Sequence, residues 1–398
     1  GAQIVPPIDA AIAQAIASAP AVSAIPREGS GELVPLGDRE IERYLAAIAP
    51  LSRPGPGGAQ LSIANTGLHG VGEPIARRAL GDAGFTSVAS VASQSAPDPA
   101  FSTVSSPNPE EPEALEAVLG LADAIGADLV LANDPDADRL AVATRHAGAL
   151  RVLSGNELGC LLGHYLLERD GGGPDALVLS TFVSSPMLGD IARAHGAVWA
   201  ATLTGHKWIH NEAIRREAEG MRFVFGYEEA LGYAAGRAVR DKDGISAAVL
   251  VAEVAREQKA KGRSLIDELE TMATRYGKYV SRQRSETYEG AAGEARIAER
   301  MSRARRTPPE TLGGCRVLAT SDFLEGVRTF AGREPERLEV HTSDVIQFEL
   351  EGGHRATIRP SGTEPKLKLY VDVRVGPGGA CGDEASELAE RILCALAA

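Results

Sequence analysis

The sequence predicts a multidomain α/β chain, with mixed α/β units followed by a C-terminal α+β unit. Three observations carry that prediction. The chain has 398 residues, 44% of them hydrophobic, which is more than one ordinary core organises, so roughly two to four domains are expected. From Leu61 onward, apolar strands, glycine turns and helical patterns alternate, the texture of α/β units with largely parallel sheets. Beyond Gly277 the pattern passes through the arginine-rich "GEARIAERMSRARR" to strand, strand, strand and one closing helix.

Taken in order, residues 8–19 read as a helix, followed by a polar connector and a second helical pattern, "DREIERYLAAIA". Helices without a clear strand bury too little surface to make a domain by themselves. "LSIAN" is a short apolar strand, "TGLHGVG" a glycine turn, and "EPIARRALGDAG" a helix closed by Gly84. "ADLVLAN", "ALVLST" and "AVWAAT" read as further strands, with "SSPMLGDIARAHG" as the helix between the last two. In "LKLYVDV", Leu367, Leu369, Val371 and Val373 face one way and Lys368, Tyr370 and Asp372 the other, so this strand is expected in a half-buried sheet. The final helix starts at Asp383, and "SRPGPGGAQ" reads as a short linker or turn.

The net charge is −13 with no Lys/Arg run, a field that repels nucleic acid and anionic membranes. An anionic substrate therefore needs a local basic pocket. Cys160, Cys315, Cys381 and Cys394 lie far apart with no C-x-x-C pair, as reduced thiols do. No apolar stretch approaches the roughly 18 residues of a membrane helix. With no signal-peptide pattern in the opening residues, a cytoplasmic protein is expected.

Five stretches carry chemistry. "NDPDADR" sets Asp134, Asp136 and Asp138 at alternate positions after an apolar strand. An EF-hand loop needs Gly and Glu where Arg139 and Arg145 stand, so that reading is excluded. A haloacid dehalogenase-type nucleophile at Asp134 wants Thr or Val in place of Asp138. A hard-cation cage for Mg²⁺ remains, with Arg139 a natural partner for phosphate. "RPSGTEPKLKLY" combines the Arg359 fork, the Ser361 and Thr363 hydroxyls and the open backbone at Gly362, an anion cradle that is not a Walker loop. "FGYEEALGY" places Glu228 and Glu229 on a loop, where paired acids accept hydrogen bonds from sugar hydroxyls. "TGHKWIHNE" spaces His206 and His210 for a zinc pair, but without a third ligand. "VRDKDGISAA" offers Lys242 as a phosphate contact or proton donor. Each also admits a plainer reading: a solvated acidic turn, a polar hairpin turn, a charged surface loop, an exposed lysine. Jointly they describe phosphoryl transfer on a polyol.

In order, "TGLHGVG", "FSTVSSPNPEEPEAL", "NDPDADR", "LSGNELG", "TGHKWI", "GYEEALGY", "RDKDGISA" and "RPSGTEPKLKLY" resemble the α-D-phosphohexomutase superfamily, the phosphoglucomutase/phosphomannomutase enzymes, almost end to end. The resemblance implies domains around a central cleft, each lending one loop. By that pattern 1–46 is the remnant of a first α/β domain, 47–152 a second with the metal loop, 153–278 a third with the sugar-binding loop, and 279–398 the C-terminal phosphate-binding domain. Asp134, Asp136 and Asp138 would bind Mg²⁺ with Arg139 beside the reacting phosphoryl group. Thr204, Gly205, His206 and Lys207 would line the sugar and Glu228 grip its hydroxyls. Lys242 would be an acid/base or phosphate contact, and Arg359, Ser361, Gly362 and Thr363 would anchor the non-reacting phosphate.

The implied reaction interconverts hexose 1-phosphate and hexose 6-phosphate, of glucose or mannose. A phosphoserine donates to the sugar phosphate, and the hexose 1,6-bisphosphate reorients and returns its other phosphoryl group. Two departures matter. The family's T-x-S-H-N-P-type serine loop has no match here, and Ser106 in "SSPNPEEP" falls in a non-catalytic second-domain segment. The opening resembles the segment C-terminal to the serine loop, so the nucleophile is expected upstream, in a chain longer by on the order of 100 residues. These residues alone would bind hexose phosphates without isomerising them. Secondly, Ala230 stands where many hexose-specific members carry Ser, which opens the site to pentose phosphates. A phosphopentomutase and a non-catalytic sugar-phosphate-binding fragment are therefore the alternatives. The partners expected are small sugar phosphates, with neither nucleic acid nor membrane, for a monomer or homodimer.

Overall fold

A computed structural model describes residues 1–25, 29, 31–53, 60–288, 291–338, 342–361, 365–376 and 382–398. Its strands form three sheets among the described residues. In the first, β1 (Ile63–Thr66), β2 (Val88–Ser90) and β3 (Leu129–Asn133) run parallel in the order β2-β1-β3. β4 (Leu140–His146) and β5 (Ala149–Val152) extend that sheet antiparallel. In the second, β6 (Ala176–Thr181) has β7 (Val198–Thr202) and β8 (Arg222–Glu228) parallel on either side, and β9 (Gly232–Ala235) antiparallel to β8. The third is antiparallel throughout and comprises β10 (Lys278–Thr287), β11 (Thr311–Leu312), β12 (Cys315–Asp322), β13 (Val327–Phe330), β14 (Arg333–Arg337), β15 (Ile346–Leu350), β16 (His354–Pro360) and β17 (Lys366–Val375). Its order is β10-β17-β16-β15-β12-β13-β14, with β11 paired to β12.

The helices are α1 (Ile8–Ala17), α2 (Asp38–Ile48), α3 (Glu73–Asp82), α4 (Pro112–Ile125), α5 (Gly155–Asp170), α6 (Met187–Ala194), α7 (His206–Ala218), α8 (Gly244–Ala260), α9 (Leu265–Tyr276), α10 (Ala291–Arg306) and α11 (Gly382–Ala397). β1, β3 and β6 are buried at every position because helices cover both faces of their sheets, hence their unbroken apolar runs. α4 lies on β1 and β3, and α5 on β8. α8 is buried around nearly its whole circumference, as "GISAAVLVAEVA" requires, because it packs on β3, β4 and β9 together. One continuous core therefore runs from Ile63 through Val251 to Phe225, beneath both sheets. α2 joins it through Leu45 and Ile48, whereas α1 buries no residue. None of the described helices is long and apolar enough to cross a membrane.

The α/β class and its C-terminal α+β unit stand, with one addition and one correction. The first two sheets keep three parallel strands each, as expected, but each set ends in an antiparallel hairpin. Residues 134–139 are too short for a parallel crossover, which takes a dozen or more residues, so β4 folds straight back along β3; the turn after Glu228 does the same to β9. Secondly, β17 is buried on both faces. Leu367, Leu369, Val371 and Val373 enter the core beneath α11, as the alternation requires. Tyr370 (5% exposed) and Asp372 (2%) are covered as well, because their face lies against Phe182, Val183 and Leu203. Alternation reveals faces but not what covers them.

α5 begins with a reciprocal cap: Ser154 accepts from the Glu157 N–H, and Glu157 accepts from the Ser154 N–H. The next residue, Gly155, touches the β8–β9 turn so closely that an added methyl would lie 1.9 Å from the Glu229 carbonyl oxygen. Gly155→Ala should cost about 1–3 kcal/mol of stability through overpacking, read as a lower urea midpoint. An unchanged midpoint would mean the helix start is not pinned there.

Candidate active site

β3 delivers its chain into the turn 134–139 with Asn133 and Asp134 already buried. Ala137 takes the left-handed conformation (φ 57°), and its N–H donates to the Asp134 carbonyl (2.9 Å). Glycines let two other segments crowd this turn. A methyl on Gly70 would lie 2.2 Å from the Pro135 oxygen, one on Gly72 2.3 Å from Ala137 Cβ, and one on Gly244 2.4 Å from the Arg139 oxygen. Thus "TGLHGVG" and "DKDGISA" wedge the turn from two sides. One carboxylate oxygen from each of Asp134, Asp136 and Asp138 lies within 4.8 Å of the others. All three donors are hard oxygens, with no imidazole or thiolate among them, which suits Mg²⁺ rather than Zn²⁺.

Two cations hold these charges together. The Arg139 backbone N–H donates to Asp134 Oδ1 (2.9 Å) and its Nε to Oδ2 (2.6 Å). Lys242 Nζ pairs with Asp138 Oδ2 (2.8 Å). Burial raises the Asp138 carboxyl above its ordinary value, with Lys242 opposing and Asp134 and Asp136 reinforcing. Burial is the largest influence on the Lys242 ammonium and lowers it, but the bond to Asp138 and the charges of Asp138, Glu228 and Asp241 together leave it raised. Arg139 also donates to Asn108 Oδ1 (2.9 Å). Within "SSPNPEEP" the reach therefore comes from Asn108, while Ser106 stays exposed.

The β8–β9 hairpin pairs with the β3–β4 hairpin: Arg139 and Gly232 form a backbone bridge, and the Leu140 N–H donates to the Leu231 carbonyl (3.1 Å). Gly232 leaves the lane along which the Lys242 stem reaches Asp138; a methyl there would lie 2.5 Å from Lys242 Cδ and 3.0 Å from Glu228 Cγ. Glu228 accepts from the Gly205 N–H (3.2 Å), a glycine at φ 108°. Burial first, then Glu229, push the Glu228 carboxyl up to about 7, against the pull of Lys242. Glu229 is already occupied, accepting from Ser184 Oγ (2.9 Å) and Thr181 Oγ1 (3.1 Å). Of the paired acids, Glu229 is thus the one committed to two hydroxyls of the fold.

Across from it, Arg359 on β16 donates to Thr204 Oγ1 (2.9 Å) and lies against the Tyr370 hydroxyl (3.3 Å). The Ser361 N–H donates to the Lys366 carbonyl (2.8 Å), closing the turn between β16 and β17. Gly362 and Thr363 lie outside the described residues. Lys207 is partly exposed, its Nζ 5.3 Å from the Trp208 ring. His206 departs from expectation: at 2% exposure its ring is buried beside His210 (5.6 Å between centroids) rather than facing the sugar wall. It points inward because it is the first residue of α7, whose His206–Ile209–His210–Ala213 stripe faces the core. Burial holds both imidazoles low, His210 at about 4, so they stay neutral. Among the described residues no third ligand joins them.

Three segments match the phosphoglucomutase/phosphomannomutase family: its alpha/beta/alpha domain II over residues 42–148, its alpha/beta/alpha domain III over 154–276, and its C-terminal domain over 320–379. The chain belongs to this family. It is 37% identical over 378 residues to a probable phosphomannomutase of Haemophilus influenzae, covering 94% of this chain and 72% of that one. It is 38% identical to a phosphoglucomutase of Staphylococcus epidermidis and 39% to a probable phosphoribomutase of Schizosaccharomyces pombe, each over 79% of this chain. It spans 58% and 55% of those two relatives, little more than half their length. A putative phosphomannomutase from Thermus thermophilus shares the fold (TM-score 0.61, 19% identity, 92% of this chain and 66% of that one). So does a Paramecium phosphoglucomutase (0.60, 17%, 89% and 58%).

For this member of the family, Asn108, Gly155, Ser184 and Asn156, whose Oδ1 accepts from the Ser185 N–H (2.7 Å), are contacts that sequence reasoning missed. The signal available was that "SSPNPEEP" and "LSGNELG" are motif stretches with no assigned chemistry. The raised Glu228 carboxyl yields a test. Its usual value is 4.5 and its folded value about 7, so the stability it contributes is fully present below 4.5 and lost as pH rises through 7. Glu228→Gln should gain on the order of 1–3 kcal/mol over the parent in alkaline urea titrations and lose that advantage in acid. The same difference on both sides of the transition would contradict the burial described.

Proposed function

We propose that this chain carries the metal, sugar and phosphate sites of a phosphosugar mutase that interconverts hexose 1-phosphate and hexose 6-phosphate. The observation that supports this most is the pairing of the two hairpins, which sets the Asp134, Asp136 and Asp138 carboxylates beside Glu228 with Lys242 between them. Residues 47–152, 153–278 and 279–398 are proposed as the units supplying metal, sugar and phosphate loops. Bound Mg²⁺ would withdraw charge from a phosphoryl oxygen. Asp134, Asp136 and Asp138 would hold it, and Arg139, released from Asp134, would pair with the same phosphoryl group. Glu228 would take sugar hydroxyls, and its position near neutrality suits it to accept or donate a proton. Lys242, within reach of Asp138 and Glu228, would serve as proton carrier or phosphate contact. Arg359 and Ser361 would grip the second phosphate against Thr204, so that one phosphate is fixed while the other reacts.

The phosphoryl-carrying serine is proposed to lie outside these residues, with hexose 1,6-bisphosphate as intermediate and activator. We place the enzyme in the cytoplasm, as a monomer or homodimer acting on small sugar phosphates. A pentose phosphate is the second reading, favoured by Ala230 and by the probable phosphoribomutase among the relatives. Calorimetry tests the sites directly. Asp136→Asn should weaken Mg²⁺ binding at least about tenfold, and Arg359→Ala should weaken glucose 6-phosphate far more than glucose. Unchanged Mg²⁺ affinity, or equal losses for both sugars, would defeat the respective assignment. Turnover of glucose 1-phosphate by these residues alone would defeat the external serine.

A further inference from the structure

Between the sugar grip and the phosphate anchor runs a closed circuit of hydrogen bonds. The Ser184 carbonyl accepts from Arg355 (2.5 Å), and Arg355 Nε donates to Asp372 Oδ2 (3.0 Å). Asp372 Oδ1 accepts from Ser281 Oγ (2.6 Å), which in turn accepts from Asn156 Nδ2 (3.3 Å). Asn156 Oδ1 accepts from the Ser185 N–H (2.7 Å), returning the circuit to the residue after Ser184. It thus joins the start of α5, the segment after β6, and strands β10, β16 and β17.

Both ends touch the site already described. The Ser184 hydroxyl accepts from the Glu229 N–H (3.1 Å) and donates to the Glu229 carboxylate, fixing the residue next to Glu228. Arg355 and Arg359 occupy alternate positions of β16 and so share a face, with Thr357 between them bonded to Gln347, which also holds the Phe182 carbonyl. A buried Arg–carboxylate pair is not needed for stability, since apolar residues of similar volume do as well. What a fully satisfied circuit adds is fixed geometry, because no member can shift without breaking a bond on either side.

We propose that Ser281 and Asn156 are positioning residues that close this circuit and thereby set the distance from Glu228 to Arg359, that is, from the sugar hydroxyls to the distal phosphate. The inference rests on the roles proposed above for those two side chains. Ser281 is partly exposed and its loss leaves Asp372 paired to Arg355, so Ser281→Ala should fold.

The first measurement is amide hydrogen exchange on the ligand-free chain. Ser281→Ala should speed exchange by about tenfold in residues 182–185, 226–231 and 354–360 together, and Ser281→Thr should restore it. A change confined to β10 and its immediate partners would overturn the proposal. The second is calorimetry with two probes. Ser281→Ala should weaken glucose 6-phosphate by about tenfold and leave inorganic phosphate unchanged, since phosphate alone spans no distance; equal losses for both would overturn it. A parent chain that binds no sugar phosphate would instead defeat the functional reading, and the exchange pattern would still decide whether the circuit couples the two ends.

Discussion

Like charges crowded on one turn are the constraint around which this molecule is arranged. Three carboxylate oxygens within 4.8 Å repel one another, by roughly 4 kcal/mol per close pair at the effective dielectric of a protein surface. Arg139 relieves Asp134 from within the turn and lies 3.9 Å from Asp138, but the close partner of Asp138 is Lys242, more than a hundred positions further on. To deliver that ammonium, the loop before α8 passes beside the β8–β9 hairpin, and Gly232 provides the lane. The same approach lays Glu228 next to the carboxylates.

Topology explains why the approach is possible. Asp134 comes directly after β3, Thr204 after β7 and residues 182–185 after β6, while Glu228 ends β8. All lie at the carboxyl ends of parallel strands, where open α/β sheets place their ligand crevices. The two sheets would stay separate if each were purely parallel. Each instead ends its parallel set in a hairpin, and the hairpins hydrogen-bond to each other, so two crevices become one. α8 packs beneath both, capped by Asp243, whose carboxylate accepts from Ile245, Ser246 and the Tyr44 hydroxyl. The antiparallel third sheet then approaches from the side, with Arg359 reaching Thr204 and Tyr370 packed near Phe182 and Leu203.

How much is legible in the sequence depends on how local each signal is. β6 reads at its observed limits from "ALVLST", and the alternating aspartates announce the carboxylate cluster, because both signals lie within a few neighbouring residues. The antiparallel turns are legible in principle, since a connection as short as 134–139 forbids a crossover. Tyr370 and Asp372 pass for solvent-facing residues because their cover, residues 182–184, lies far away in the chain. For the same reason Ser184 and Asn156 look like ordinary loop and helix-start residues. His206 sits within a chemistry-bearing motif, yet the helical stripe it opens turns it inward. Sequence spacing identifies the loops, and the partners of each loop require the fold.

If charge balance is the organising constraint, Lys242 competes with a bound cation for Asp138, even though it belongs to the same site. The most direct measurement is the Mg²⁺ affinity of Lys242→Met by calorimetry at fixed ionic strength. Removing the ammonium leaves the carboxylate cluster one charge more negative while the glycine-wedged turn still holds its shape, so Mg²⁺ should bind more tightly than to the parent, by about tenfold for a shift of 1.4 kcal/mol. Weaker or unchanged Mg²⁺ binding would contradict it, because Lys242 would then be shaping the loop rather than balancing its charge.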